Sequence, residues 1–297
     1  MINRFLQYLR YEKGFSSHTE MSYRTDLIQF AGFVSHDVEA FDPSTVTSDE
    51  IRAWIVLLLE EGDSPRSVNR KVSTLKSFYR FLNHSLLLNH NPTKKIVSLK
   101  TKKPLPLYFK GKEINFVSSN MLEKTFEEAR DKLIIEILYQ TGVRCSELIG
   151  IKDSDIDFDR KTLRVLGKRN KERLIPFGET LRNAIRKYMT LRDEAIDHPA
   201  ERLITLKTGV PVYSKLIYNK VHSAFSGVST LTQRSPHVLR HTFATTLLNN
   251  GAELNAVKEL LGHSHLSATE IYTHTTFDQI QTIYKQAHPR AQKRRHP

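Results

Sequence analysis

The chain has 297 residues and carries 45 Lys and Arg against 32 Asp and Glu, a formal charge of +13 at pH 7. That length suffices for two domains with separate cores, and the cationic excess favours a polyanionic partner bound in a steeply salt-dependent way. The single cysteine, Cys145, excludes an intrachain disulfide, and with no secretory h-region or membrane-length apolar run the expected location is a reducing cytoplasm.

Residues 1–92 read as four amphipathic helices with little strand signal. Ile2, Phe5, Leu6 and Leu9 share one face and Gly14 ends the first helix; Tyr23, Leu27 and Phe30 mark the second. A capping box from Thr47 to Glu50 opens the third, which carries Ile51, Trp54, Ile55, Leu58 and Leu59 and stops before Gly62. Ser64 and Pro65 open the fourth, because serine caps free N–H groups and proline tolerates the first helical position. Its apolar face is Val68, Val72, Leu75, Tyr79 and Leu82, while Arg66, Arg70, Lys71, Lys76 and Arg80 supply charge. Such a helix fits a DNA groove and a solvated surface equally well.

Asn91 and Pro92 end this bundle, and residues 93–107 are rich in lysine and proline without periodicity. Pro104 and Pro106 keep the segment extended, so it reads as a basic linker, either a plain tether or one that follows DNA. Residues 108–297 form the second domain. There the apolar helix at 133–140 ends at Thr141 and Gly142, and Arg144 opens the next helix. Its planar fork can be held toward a phosphate, or it can pair with Glu147. Residues 156–159, 162–167 and 172–177 form a small β meander with Lys168 at a hairpin tip, ordinarily a place for a solubilising charge. Helices at 180–196 and 215–225 follow.

The densest cluster of chemistry lies between Ser235 and His274. Ser235 and Pro236 start a helix that places His237 and Arg240 on one face of its first turn, near the positive end of the dipole, where an anion is favoured. Asn249, Asn250 and Gly251 end it; a second helix closes at Gly262, so that His263 falls on the turn after a helical C-terminus. Ser267 and Glu270 read as a capping box for a third helix carrying Tyr272. Taken together these groups describe a phosphodiester site: cations on the phosphate oxygens, a histidine for the proton, and a tyrosine hydroxyl that needs such neighbours to become a nucleophile. Taken singly, each has a bland reading, as a core tyrosine, a helix cap or a chance pair. His237 and His241 lie four apart, but Val238 follows His237 where a zinc helix would carry Glu, so no metal is expected.

The H-x-x-R of His237 and Arg240, the LLGHS at 260–264, the IYTH at 271–274 and the HPRA at 288–291 resemble the catalytic box of the tyrosine recombinases, or phage integrase family, and among them the bacterial Xer recombinases. TG-x-R-x-x-E-L at Arg144 resembles the family's first arginine motif, and GKRNKER its lysine hairpin, with Arg169 where glycine is common. Arginine does not easily adopt positive φ, so that turn is expected to differ.

The resemblance implies a mostly α fold: an N-terminal four-helix SAM-like core-binding domain that clamps DNA, and an α-rich catalytic domain with a small antiparallel β-sheet. It implies Tyr272 as the nucleophile forming a 3′-phosphotyrosine, Arg144 and Arg240 as phosphate clamps, and His263 as a donor to the same phosphate. His237 then handles a proton, Lys168 is the general acid with Lys171 as fallback, and Glu147 orients Arg144. No cofactor, ATP or metal is called for, in keeping with the missing Walker motif. The implied partners are a double-stranded DNA recombination site, a tetramer of identical or paralogous subunits joined by an exchanged C-terminal helix, and a DNA translocase activator. Resolution of chromosome or plasmid multimers is the favoured role. A mobile-element integrase, a type IB topoisomerase and a non-catalytic DNA-binding protein are the alternatives.

Overall fold

The computed structural model describes the chain except residues 36, 86, 102–105, 168–170, 198–199, 263–276 and 292–297. It is mostly helical and separates into two compact units, Met1–Pro104 and Leu105–Pro297, each with its own apolar core. Among the described residues no helix is long and apolar enough to cross a membrane.

In the first unit, α1 (Ile2–Gln7) continues through a π turn toward Gly14, and α2 (Ser17–Ser35), α3 (Ser48–Glu60) and α4 (Pro65–His84) follow. The start signals operate as read: Thr47 Oγ1 accepts the Glu50 amide at 3.2 Å while Glu50 Oε2 accepts the Thr47 amide at 2.7 Å, and Ser64 Oγ accepts the Ser67 amide at 3.2 Å. In its core Phe5 meets Phe78, and Phe30 meets Trp54, edge to face. The stretch expected to open the linker is packed instead. Thr93 and Ile96 are buried, and Asn69 grips the Leu99 backbone from both sides, donating to its carbonyl at 2.9 Å and accepting its amide at 2.8 Å. Exposed lysines around one buried isoleucine present no periodicity, which is why composition misreads this segment.

The second unit contains α5 (Gly111–Asn120), α6 (Phe126–Thr141), α7 (Cys145–Gly150), β1 (Ile156–Asp157), β2 (Thr162–Leu166), β3 (Glu172–Pro176), α8 (Glu179–Ala195), α9 (Ser214–Ala224), α10 (Pro236–Asn249), α11 (Leu254–Leu261) and α12 (Phe277–Ala287). Helix α6 is buried around most of its circumference and is the central element, with α8 and α10 packed on it. It ends at Gly142 with φ 61°, where a Cβ would also stand 2.4 Å from the Phe243 ring, so glycine is required twice over. The three described strands pair antiparallel in order, with Leu163 opposite Ile175 and Val165 opposite Arg173. Helix α10 starts after Ser235 as expected, but the serine side chain makes no capping bond; its carbonyl accepts the Val238 and Leu239 amides at 3.0 and 3.2 Å.

In the C-terminal helix, Ile280, Tyr284 and Ala287 of α12 are buried in their own unit, and Tyr284 Oη donates to the Gln140 carbonyl at 3.1 Å. Beyond it, the fully buried His288 ring stacks on Tyr284 at 5.1 Å, and its Nδ1 accepts the Arg290 amide at 3.2 Å. Arg290 Nη1 reaches both oxygens of the buried Glu136 at 2.7 Å. Burial disfavours the imidazolium and holds the His288 pKa down to about 3. Below pH 6.5 the unfolded chain takes up a proton there that the folded chain refuses until about pH 3, so acid selectively stabilises the unfolded state. Between these limits His288 should add about 1.4 kcal/mol per pH unit to the loss of stability, and His288→Phe should remove that increment from a pH series of urea unfolding curves.

Candidate active site

The site begins where α6 stops. Gly142 turns the chain so that Arg144 becomes the N-cap of α7 and Glu147 falls in its first turn. Glu147 Oε2 accepts the Arg144 amide at 2.7 Å and Oε1 accepts its Nη1 at 2.7 Å, while the Arg144 side chain keeps a quarter of its surface open to solvent. Arg144 and Glu147 are therefore paired, and the Arg144 fork is both held and accessible. Glu147 is buried, yet the arginines around it lower its pKa to about 2 despite the opposing cost of burial, so it is anionic at any physiological pH.

Helix α11 supplies the other half. It ends at Gly262, in the left-handed region at φ 64°, and its terminal carbonyls sit at the negative end of the helix dipole. Three guanidinium groups take three consecutive carbonyls: Arg173 Nε donates to Leu260 at 2.8 Å, Arg240 Nη2 to Leu261 at 2.6 Å and Arg144 Nη2 to Gly262 at 3.3 Å. Arg240 also donates through Nη1 to the Gly142 carbonyl at 2.5 Å. It lies 4.0 Å from Glu147 and is nearly buried. Burial, and then the positive charge of Arg144, depress its pKa to about 10. It stays protonated at neutral pH, but its charge is under-compensated, a condition an incoming anion relieves.

His237, one helical turn before Arg240, is exposed. The Gly167 amide donates to the Lys171 carbonyl at 2.8 Å between β2 and β3; Lys168 itself, with Arg169, lies outside the described residues, as do His263 and Tyr272. A cleft of about 410 Å³ next to the turn is lined by four cations, Arg144, Lys171, Arg173 and Lys258, and two carboxylates, Glu172 and Glu259, an excess of positive charge that favours a phosphate. Among the described residues no group of three or more His, Cys, Asp or Glu is disposed to hold a metal. Of the groups that chemistry requires, the structure thus joins Arg144, Glu147 and Arg240 around one turn. It adds Arg173, which motif reading passed over. The signal was there: strand alternation puts Arg173 on the same inward face as Ile175.

On α4, the five basic residues divide. Arg66 and Arg80 are exposed and have no ion-pair partner among the described residues, and Lys76 is half-buried with none either. Arg70 bonds the buried Asp26 at 2.5 Å while keeping about half its side chain exposed. Lys71 is largely buried, its ammonium held by Asp63 and Gln29 at 2.7 Å each, which directs it to packing rather than to an outside phosphate.

Residues 110–279 match the model of the phage integrase family, and residues 2–85 that of the phage integrase N-terminal SAM-like domain. The chain belongs to the phage integrase family, that of the tyrosine recombinases. Within it the chain is Xer-like: it is 34% identical to the tyrosine recombinase XerC of Chlorobaculum tepidum, covering 98% of this chain and 94% of that one. To XerC of Staphylococcus haemolyticus it is 38% identical, covering 97% of each. Its fold is similar to that of XerH site-specific recombinase bound to palindromic difH substrate in a post-cleavage complex, with TM-score 0.71, 18% identity and coverage of 96% and 81%. The Tn1549 transposon integrase in complex with circular intermediate DNA matches at TM-score 0.69 and 22% identity, covering 95% and 97%.

Removing the Glu147 charge leaves the arginines around it without their shared anion. Glu147→Gln should lower the unfolding free energy at pH 7 by about 3 kcal/mol, the low end for a broken buried pair because Arg144 is partly solvated. The wild-type advantage is complete above pH 4.5 and should vanish as pH falls through about 2, which a pH series of denaturant midpoints would show.

Proposed function

We propose that this chain is a site-specific DNA recombinase that cuts and rejoins double-stranded DNA through a 3′-phosphotyrosyl link at Tyr272. The observation that carries the reading is the convergence of Arg144 and Arg240, from distant segments, on the turn that leads directly into His263. Two guanidinium forks, each held through both its Nη atoms, bring two positive charges that would neutralise the non-bridging oxygens of one phosphate as its charge grows.

In this mechanism the Tyr272 hydroxyl attacks phosphorus and the bond to the 5′ oxygen breaks. His237 takes up the phenolic proton or returns it on rejoining, Lys168 delivers a proton to the leaving 5′ oxygen, and His263 donates to the same phosphate. The freed 5′ hydroxyl of a partner duplex then reverses the step. One phosphoester replaces another at each stage, so the bond is conserved and neither ATP nor a divalent ion is needed. The helical unit would bind the same duplex, with Arg66, Arg70, Lys76 and Arg80 as phosphate contacts. Four subunits, identical or paralogous, would be linked through α12. Identity to tyrosine recombinases XerC over nearly the whole chain supports the recombinase reading; resolution of chromosome or plasmid multimers would be the role, with a DNA translocase as activator.

A nicked suicide duplex carrying a candidate recombination site, incubated in EDTA without ATP, should yield a covalent 3′-linked protein–DNA band on a denaturing gel. The band should be absent with Tyr272→Phe; a wild-type protein that binds a verified site yet never forms it would defeat the proposal. In parallel, Arg80→Ala should weaken DNA binding and reduce the salt slope of log K by about 1. Lys71→Ala should leave that slope unchanged and lower the thermal midpoint instead.

A further inference from the structure

Arg173 does more in this structure than any motif assigns to it. It stands on β3 in register with Val165, on the sheet face that carries Leu163 and Ile175 into the core, an unusual place for a charge unless it is fully engaged. It is engaged in two directions. Its Nη1 and Nη2 donate to Glu147 Oε1 and Oε2 at 3.1 and 2.8 Å, and its Nε donates to the Leu260 carbonyl at 2.8 Å. Only 11% of the side chain is exposed. The turn after α11 also rests on it: a Cβ at Gly262 would stand 3.1 Å from its Nη1 and 3.3 Å from both Cδ and Cζ.

Two consequences follow from rigidity. Glu147 has two oxygens and must serve Arg144 with the amide on one and the fork on the other; the bidentate grip of Arg173 fixes the carboxylate plane and so the direction in which Arg144 points. The bond to Leu260 holds the first of the three carbonyls whose successors receive Arg240 and Arg144, so a single guanidinium sets the spacing between both clamps and the approach to residue 263. A lysine has no fork to do this.

We propose that Arg173 is a positioning residue for strand cleavage: through Glu147 it aims Arg144, and through Leu260 it sets the turn that precedes His263, without itself touching the phosphate. This rests on the recombinase reading of the same site.

The test measures single-turnover formation of the covalent complex by the full chain on the suicide duplex, with DNA affinity measured on the same duplex. Arg173→Met should cleave roughly tenfold to a hundredfold more slowly while affinity changes less than about threefold, the size expected when a supporting bond to a reacting group is lost. Arg173→Lys should recover part of the rate. In an Arg144→Lys background, Arg173→Met should cost clearly less than it does in wild type, because the share that acts through Glu147 on the Arg144 fork is already lost and only the share that acts through Leu260 remains. Should Arg173→Met fail to fold, Arg173→Lys carries the same comparison, alone and with Arg144→Lys. The proposal is overturned by wild-type cleavage in the variants, by a loss confined to DNA affinity, or by a full multiplicative loss in the Arg144→Lys background. If wild type itself never forms the covalent complex on a verified site, it is the recombinase reading that fails, an outcome separate from any of these.

Discussion

One buried carboxylate holds this site together. Glu147 is the common anion for Arg144, Arg173 and, at longer range, Arg240, and without it three positive charges would face one another in a poorly solvated corner. The negative end of α11 helps, since each guanidinium also takes one of its terminal carbonyls. The resulting balance is deliberately incomplete. Three guanidinium groups share one formal anion and a half-dipole, so the pocket retains net positive charge, which is the electrostatic condition for receiving a phosphodiester.

The same arrangement explains why the backbone around it tolerates so little. Gly142 must turn left-handed beneath Phe243, and its carbonyl must point at Arg240; Gly262 must turn left-handed beside Arg173. Each glycine is therefore bound to a side chain as well as to a dihedral angle. The chemistry and the chain reversals are one structure, and a substitution at either glycine would move an arginine.

Much of this was legible in the sequence because it depends on local rules. Capping boxes, serine–proline starts and glycine stops are written within a few residues of where they act, and Thr47, Ser64, Gly142 and Gly262 behave accordingly. What escaped was non-local. The capture of Leu99 by Asn69 and the service of Glu147 by Arg173 join residues far apart in the chain, and neither leaves a periodic trace beyond ordinary strand alternation. Charge counting failed for a related reason: α4 presents Lys71 and Arg80 as equivalent cations, but Asp63 and Gln29, which absorb one of them, can be recognised only in three dimensions. Ser235, conversely, satisfies the sequence rule for a cap and serves through its backbone alone.

The C-terminal segment packs in cis through residues that the proposed exchange between subunits would use as well. Ile280, Tyr284, Ala287 and His288 are buried, and Arg290 neutralises Glu136 on the central helix. A receptor this complete, apolar along the helix and ionic beyond it, is equally complementary to the same segment from an identical subunit. Reciprocal exchange would preserve each of these contacts, so the bonds themselves set no preference between the two arrangements. The balance then falls to chain entropy and to the concentration of neighbours. Subunits held side by side on one duplex would raise that concentration locally, which would make DNA binding the natural variable to shift such an equilibrium.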